Sequence, residues 1–103
     1  MRTVRLSITF NDQLNELLDY GEPIYGAALV EEKKRAVFHT IKNILAHYPA
    51  AKKPNAKLGL TVYAVTKTPF ILLYDFDDAE LRVHFIFHHR ASLKNLDPTS
   101  ADW

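Results

Sequence analysis

The chain has 103 residues, 48% of them hydrophobic, and a formal charge of +1 at pH 7. That length gives one domain with one core and is too short for two. The absence of cysteine excludes a disulfide framework, a thiolate nucleophile and a cysteine metal site. No segment reaches the ~20 apolar residues of a membrane-spanning helix, and the first residues lack the apolar run of a signal peptide. We therefore expect a cytoplasmic protein with no membrane partner.

The N-terminal quarter predicts a strand followed by a helix. Apolar residues from Val4 to Phe10 alternate with polar ones, which is typical of a strand with one buried face. Asn11 or Asp12 is suited to cap the helix, because a short side-chain oxygen accepts hydrogen bonds from the free amide groups of a first turn. Gly21 lies where a left-handed residue would end that helix.

A second helix is predicted between Pro23 and Pro49. Proline is tolerated in a first helical turn, where its missing N–H is not needed, and a later proline stops a helix. Between them an apolar stripe recurs at three, four and seven residues, which indicates a core-facing helix. The stripe consists of Val30, Val37, Ile41, Ile44, Leu45 and Tyr48. Two helices joined so closely form a hairpin.

The second half of the chain predicts three consecutive strands, Leu60 to Val65, Phe70 to Phe76 and Leu81 to His89. Residues 67–69 and 77–79 break the pattern as tight turns, and short turns make consecutive strands antiparallel. The last strand alternates between one face of Leu81, Val83, Phe85 and Phe87 and another of Arg82, His84, Ile86 and His88.

The predicted fold class is α+β in two layers: an N-terminal strand, a helical hairpin, and then a three-stranded antiparallel meander covered on one face by the hairpin. The other face, which carries Arg82, His84 and His88, is expected to be open to a partner. Residues 1–92 form the single domain, and residues 93–103, where the pattern fades, form a C-terminal tail. An unpaired sheet edge would also allow a dimer or strand addition by another protein.

The order of these elements, together with two short motifs, resembles the ParE branch of the RelE/ParE toxin superfamily over about residues 3–92. In that branch Pro-Tyr or Pro-Phe opens a strand ending in an apolar residue and a tyrosine. The next strand ends in a histidine followed closely by an arginine. The matching residues are Pro69-Phe70 and Leu73-Tyr74 for the first motif, His88 and Arg90 for the second, and Tyr20 near the end of the first helix.

The resemblance implies the toxin of a bacterial type II toxin–antitoxin pair, of the kind associated with plasmid stabilisation. Its partners would be a cognate antitoxin, which drapes a segment over the sheet and the helical hairpin, and DNA gyrase as the target. No cofactor and no sequence-specific nucleic acid contact is implied. The alternatives are a RelE-like ribosome-dependent mRNA endonuclease and a non-toxic binding module of the same fold.

Candidate contact residues lie on the last strand and at its basic end. They are Arg82, His84, His88, His89 and Arg90. A ribonuclease would need a base, a cation for the phosphate and an acid for the leaving oxygen, and Lys67, His88 and Arg90 could supply them. Ribonuclease members carry an arginine on the central strand, where this chain has Phe70 and Ile71. That difference favours the ParE-like interpretation and a protein that is not an enzyme.

No metal site is expected. Successive strand residues such as His88 and His89 point to opposite faces, which is a poor geometry for a shared metal ion. For His89, a ring that caps the core next to Phe87 and a ring exposed to solvent are equally good interpretations. His84 and His88 share a face but lie roughly 13 Å apart by the rise of a strand. The segment 75–78 lacks the glycine and the distant glutamate of a calcium loop, and it predicts a hairpin turn with solvated carboxylates.

Overall fold

The computed structural model describes residues 1–103 apart from the side chain of Ala51. A π-helical turn, Thr40–Leu45, continues the second helix, and a short 3-10 turn, Pro49–Ala51, follows it. The main elements are β1 (Thr3–Leu6), α1 (Ile8–Tyr25), α2 (Ala27–His39), β2 (Thr61–Ala64), β3 (Phe70–Phe76) and β4 (Glu80–His88).

The four strands form one sheet in the order β1-β4-β3-β2. Strands β2, β3 and β4 are successive antiparallel neighbours, which confirms the predicted meander and the α+β class. Strand β1 lies parallel to β4, with Val4 opposite Leu81. A parallel neighbour needs a crossover connection, and the helices and the first two meander strands supply it. Strand β4 is therefore central, and β1 and β2 are the edges.

Helix α1 begins earlier than the sequence predicts. Ser7 caps it, because its hydroxyl accepts a hydrogen bond from the N–H of Phe10 at 2.8 Å. Neither Asn11 nor Asp12 is the cap, since both lie inside the helix. Ile8 and Phe10 also belong to the helix, so the predicted strand is shortened to the four residues of β1.

Helix α1 also ends later than predicted. Gly21 and Pro23 both lie inside it, and the turn into α2 occurs at Gly26, whose φ of 83° only glycine adopts without strain. The predicted apolar stripe of the second helix packs into the core apart from Tyr48, which is 69% exposed. The helical hairpin is thus confirmed, with its joint five residues beyond Gly21.

The ladder between β3 and β4 contains a β-bulge. Leu73 pairs with Phe85, but Tyr74 pairs with Val83, so His84 is the extra residue. Beyond a bulge the side chains of the bulged strand exchange faces. The prediction of one face formed by Leu81, Val83, Phe85 and Phe87 is therefore wrong. The helix-side core combines Leu72, Tyr74, Leu81, Val83 and Ile86 of the sheet with Phe10, Leu14, Val37, Ile41 and Leu45 of the helices.

The second face of the sheet is covered by residues 93–103, called here the C-terminal segment. The N–H of Ile8 donates to the carbonyl of Asp102 at 2.7 Å, which ties the end of the chain to the start of α1. This face was expected to be open to a partner, and that expectation is wrong. The cluster on this face comprises Leu60, Ile71, Leu73, Phe85 and Ala101, with Leu93 and Leu96 packed against it.

Candidate partner-binding site

Arg82 lies in a network of carboxylates. Its Nε is 3.0 Å from Oδ1 of Asp75, and its Nη1 is 2.9 Å from Oδ2 of Asp77 and 3.3 Å from Oε1 of Glu80. The hydrogen bonds with Asp75 and Asp77 raise the pKa of Arg82. A hydrogen bond from Arg82 likewise lowers the pKa of Asp77 to about 2. Because three carboxylates of its own chain satisfy this cation, Arg82 has little capacity left for a foreign anion.

His84 is held on the covered face, and its side chain is only 14% exposed. Its Nε2 lies 2.8 Å from Oδ1 of Asp75, and because a carboxylate oxygen only accepts, Nε2 is the donor. Burial alone would raise the pKa of Asp75, but hydrogen bonds from Arg82 and His84 outweigh it and lower that pKa. The His84 ring meets Trp103 in an edge-to-face contact at 4.8 Å, and Arg5 lies over the indole at 4.8 Å. His84 therefore fastens the C-terminal segment.

Residues His88, His89 and Arg90 form a compact turn where β4 ends. The rings of His88 and His89 stack with centroids 4.5 Å apart and planes 27° apart, so the prediction that they point to opposite faces is wrong. The N–H of His89 donates to the carbonyl of Pro69 at 2.7 Å, outside the strand. His89 and Arg90 are exposed and His88 is half-buried. His89 therefore does not cap the core.

A cavity of about 60 Å³ lies between the helical hairpin and the end of β4. We call it the hairpin cavity. Its floor is apolar and comes from both helices and the sheet, and its polar groups lie at the rim. The floor is formed by Leu17, Leu18, Gly21, Val30 and Phe70. The rim includes Tyr20, Tyr25, Lys33 and His88.

Large hydrophobic side chains are exposed on the helical hairpin, and two of them, Tyr20 and Tyr25, line this cavity. Tyr20, Ile24, Tyr25 and Leu29, which we call the hairpin patch, are 75%, 57%, 51% and 39% exposed. The Nζ of Lys33 lies 5.1 Å from the centroid of the Tyr25 ring, so a cation borders the patch. Several large exposed hydrophobic side chains at one end of a helical hairpin, with a cation beside them, are typical of a protein-binding site.

The three groups proposed for ribonuclease chemistry lie in two neighbouring turns at one end of the sheet, where the N–H of His89 donates to the carbonyl of Pro69. Lys67 lies in the β2–β3 turn with a φ of 65°, and it borders a groove beside α2 together with Thr66 and Ala36. His88 borders the hairpin cavity, and Arg90 projects from the turn after β4. Of these cavities, none is lined by all three residues.

The residues that the structure describes contain neither a cluster suited to a metal ion nor a helix suited to a membrane. No group of three or more His, Asp or Glu side chains is placed to hold a metal ion. None of the helices is both long enough and apolar enough to cross a membrane.

The arrangement of a parallel N-terminal strand, a helical hairpin and a three-stranded antiparallel meander is the ParE-like α+β fold. A solved chain described as "Chromosomal ParDE TA system from P. aeruginosa" superposes on this chain with a TM-score of 0.73. The match covers 85% of this chain and 96% of that chain at 12% sequence identity. No protein-family model matches the sequence, and no curated protein matches it. The likeness is thus one of fold, and it confirms the fold that the sequence motifs predicted.

Of the residues that line the hairpin cavity or form the hairpin patch, only His88 was predicted from the sequence as a contact residue. Tyr20 entered only through the resemblance, and Gly21 only as a helix end. A signal was present, since Tyr20, Ile24 and Tyr25 are large apolar residues outside the predicted core stripe. Once α1 is known to run through Gly21, these residues lie exposed at one end of that helix.

Proposed function

We propose that this chain is the toxin of a type II toxin–antitoxin pair and acts by binding another protein. The observation that carries the proposal is the ParE-like fold, matched over nearly the whole of this chain and of a chain from a ParDE toxin–antitoxin system. Because the match covers 85% of this chain and 96% of that chain, the two folds share nearly all of their elements.

The chemistry of the surface supports binding rather than catalysis. Arg82 and His84 are occupied by carboxylates of the same chain, and Lys67, His88 and Arg90 line no common cavity. A ribonuclease needs such groups within hydrogen-bonding distance of one phosphate. The hairpin patch, in contrast, offers the exposed apolar area on which protein interfaces depend.

Two partners follow from the proposal. The antitoxin covers the helical hairpin, including the hairpin patch, and forms a hetero-oligomer with the toxin. The target is DNA gyrase, and the exposed turn of His88, His89 and Arg90 is the surface we assign to that contact. Both encounters take place in the cytoplasm.

The first experiment is inducible expression in a bacterial host, with and without the product of the adjacent reading frame. Growth arrest that the adjacent product relieves is the expected result. No growth defect in either strain would overturn toxicity and favour a non-toxic binding module.

Purified protein is then added to a gyrase supercoiling reaction and to translating ribosomes. Loss of supercoiling with intact mRNA is expected, whereas mRNA cleavage on ribosomes would establish the ribonuclease alternative.

A pair of tyrosine variants tests the antitoxin surface. Tyr20→Ala removes an exposed side chain of the hairpin patch, and Tyr48→Ala removes a similarly exposed side chain, 75% against 69%, outside it. Binding of the adjacent-frame product, measured by calorimetry, should weaken for Tyr20→Ala and remain unchanged for Tyr48→Ala. Equal affinities for the two variants would place the interface elsewhere.

A further inference from the structure

Gly21 occupies a position where nothing in the fold requires glycine. It lies in the interior of α1, and only Gly26 and Gly59 among the glycines have a positive φ. A methyl group added at Gly21 would lie 3.5 Å from the Tyr25 ring and 3.7 Å from Val30, which are ordinary contact distances. Glycine inside a helix nevertheless destabilises it relative to alanine. The sequence therefore keeps an unfavourable residue where alanine would fit.

What glycine provides here is space in the floor of the hairpin cavity. Gly21 is buried and lines that cavity together with Tyr25 and Val30, the two residues that its missing methyl group would touch. The cavity measures about 60 Å³. One water molecule needs ~10–15 Å³ of cavity volume, so the cavity has room for about four to six non-hydrogen atoms. That is the size of a branched or thioether aliphatic side chain and too small for an indole.

The rim of the cavity defines the charge of its occupant. Lys33 and His88 are its ionisable lining residues apart from the two tyrosines, and no carboxylate lines it. An incoming segment with an acidic group next to its apolar side chain would complement this rim. The hairpin patch around the cavity supplies the apolar surface that excludes water from such a contact.

We propose that the hairpin cavity is an anchor pocket, kept open by Gly21, for one leucine-, isoleucine- or methionine-sized side chain of the antitoxin. The anchor residue is flanked by an acidic residue that pairs with Lys33. Gly21 is then a specificity-determining residue for antitoxin choice, because any side chain at this position reduces the space for the anchor. This inference rests on the proposed toxin–antitoxin function.

The experiment compares Gly21→Ala and Gly21→Leu with Asn15→Leu, which adds the same bulk at an exposed position of α1 outside the cavity. Each variant is purified, its helix content and thermal unfolding are measured, and its affinity for the adjacent-frame product is determined by calorimetry. Loss of a central anchor contact should weaken binding by at least about 30-fold in Gly21→Leu. Gly21→Ala should bind more weakly than wild type while unfolding at a higher temperature, which separates lost binding from lost structure.

Lys33→Glu tests the acidic flank, and it should weaken binding less at high salt than at low salt because screening reduces the new repulsion. If wild type binds the adjacent-frame product and the affinities of Gly21→Ala and Gly21→Leu are both within threefold of the wild-type affinity, the anchor pocket is refuted. The proposed toxin–antitoxin function would then still stand. Failure of wild type itself to bind the adjacent-frame product would overturn both. Equal weakening in Asn15→Leu would show a general effect of bulk on α1 and would also refute the pocket.

Discussion

Replacing Tyr74 with phenylalanine removes one buried hydroxyl group from the core and leaves its apolar surface unchanged. Tyr74 is fully buried on β3, and its hydroxyl donates to the carbonyl of Pro49 at 2.6 Å. This bond joins the sheet to the turn that follows the helices. Loss of this bond costs about 1 kcal/mol, the net contribution of a typical hydrogen bond. We therefore expect Tyr74→Phe to be less stable than wild type by that amount at pH 7.

The sign of the difference should reverse at high pH. Burial raises the pKa of Tyr74 to about 12, against 10 for an exposed tyrosine. A raised pKa stabilises the fold fully below pH 10, and this contribution is lost as the pH rises from 10 to 12. Two pKa units correspond to about 2.7 kcal/mol. Wild type loses that energy and Tyr74→Phe does not, so the two stability curves should cross between pH 10 and 12.

Urea unfolding monitored by circular dichroism at several pH values from 7 to 12 measures both effects. Other tyrosines and lysines titrate in both proteins, so their contributions cancel in the difference. Tyr48→Phe is the control, because its ring is 69% exposed, and its difference from wild type should stay near zero throughout. A Tyr74→Phe difference that remained constant from pH 8 to 12 would show that the buried hydroxyl is not the cause.

Three further predictions concern stability. The pKa values of Asp75 and Asp77 are lowered, that of Asp77 to about 2, so the melting temperature should fall as the pH drops from about 4 towards 2. The fall should be less steep in Arg82→Met, and parallel profiles of melting temperature against pH in the two proteins would contradict this. Trp103→Ala should lower stability by about 1–2 kcal/mol in calorimetry through lost aromatic and cation–π contacts, and Trp103→Phe by less. Ser7→Ala loses a helix cap and a 2.6 Å hydrogen bond to a β4 carbonyl, about 2 kcal/mol in urea unfolding, whereas Ser7→Thr should retain most of it.

The meander was predictable because its signals are local. Alternation marks the strands, and turn residues at Pro69 and Asp77 separate them, as the structure confirms. The faces of β4 were not predictable from alternation alone. The bulge at His84 adds one residue to a strand without altering the alternating pattern on either side. The run Phe85, Ile86 and Phe87, apolar at three successive positions, was the one sign that both faces would be buried.

The ends of the helices show a different limit of prediction from sequence. Gly21 and Pro23 are the residues that usually punctuate helices, yet both lie inside α1. Pro23 lies three residues before Gly26 at an exposed position, and its missing N–H leaves one helical hydrogen bond unmade. The more favourable stop lies at Gly26, where the chain needs a positive φ. Local propensity therefore identifies glycine and proline as residues that can end a helix, but tertiary packing decides which of them does so.

The candidate site differs from the predicted one because Arg82 and His84 pair with carboxylates of their own chain. These carboxylates come from the same sheet, and the whole network around Arg82 lies in strands β3 and β4 and the turn between them. Residues 20–29, in contrast, combine a dispensable glycine, a proline inside a helix and four exposed hydrophobic side chains. Each of these departs from what stability of the free chain favours, and such departures concentrate at functional sites. A partner that covers this region would bury the apolar surface and fill the space at Gly21, which the isolated fold leaves without compensation.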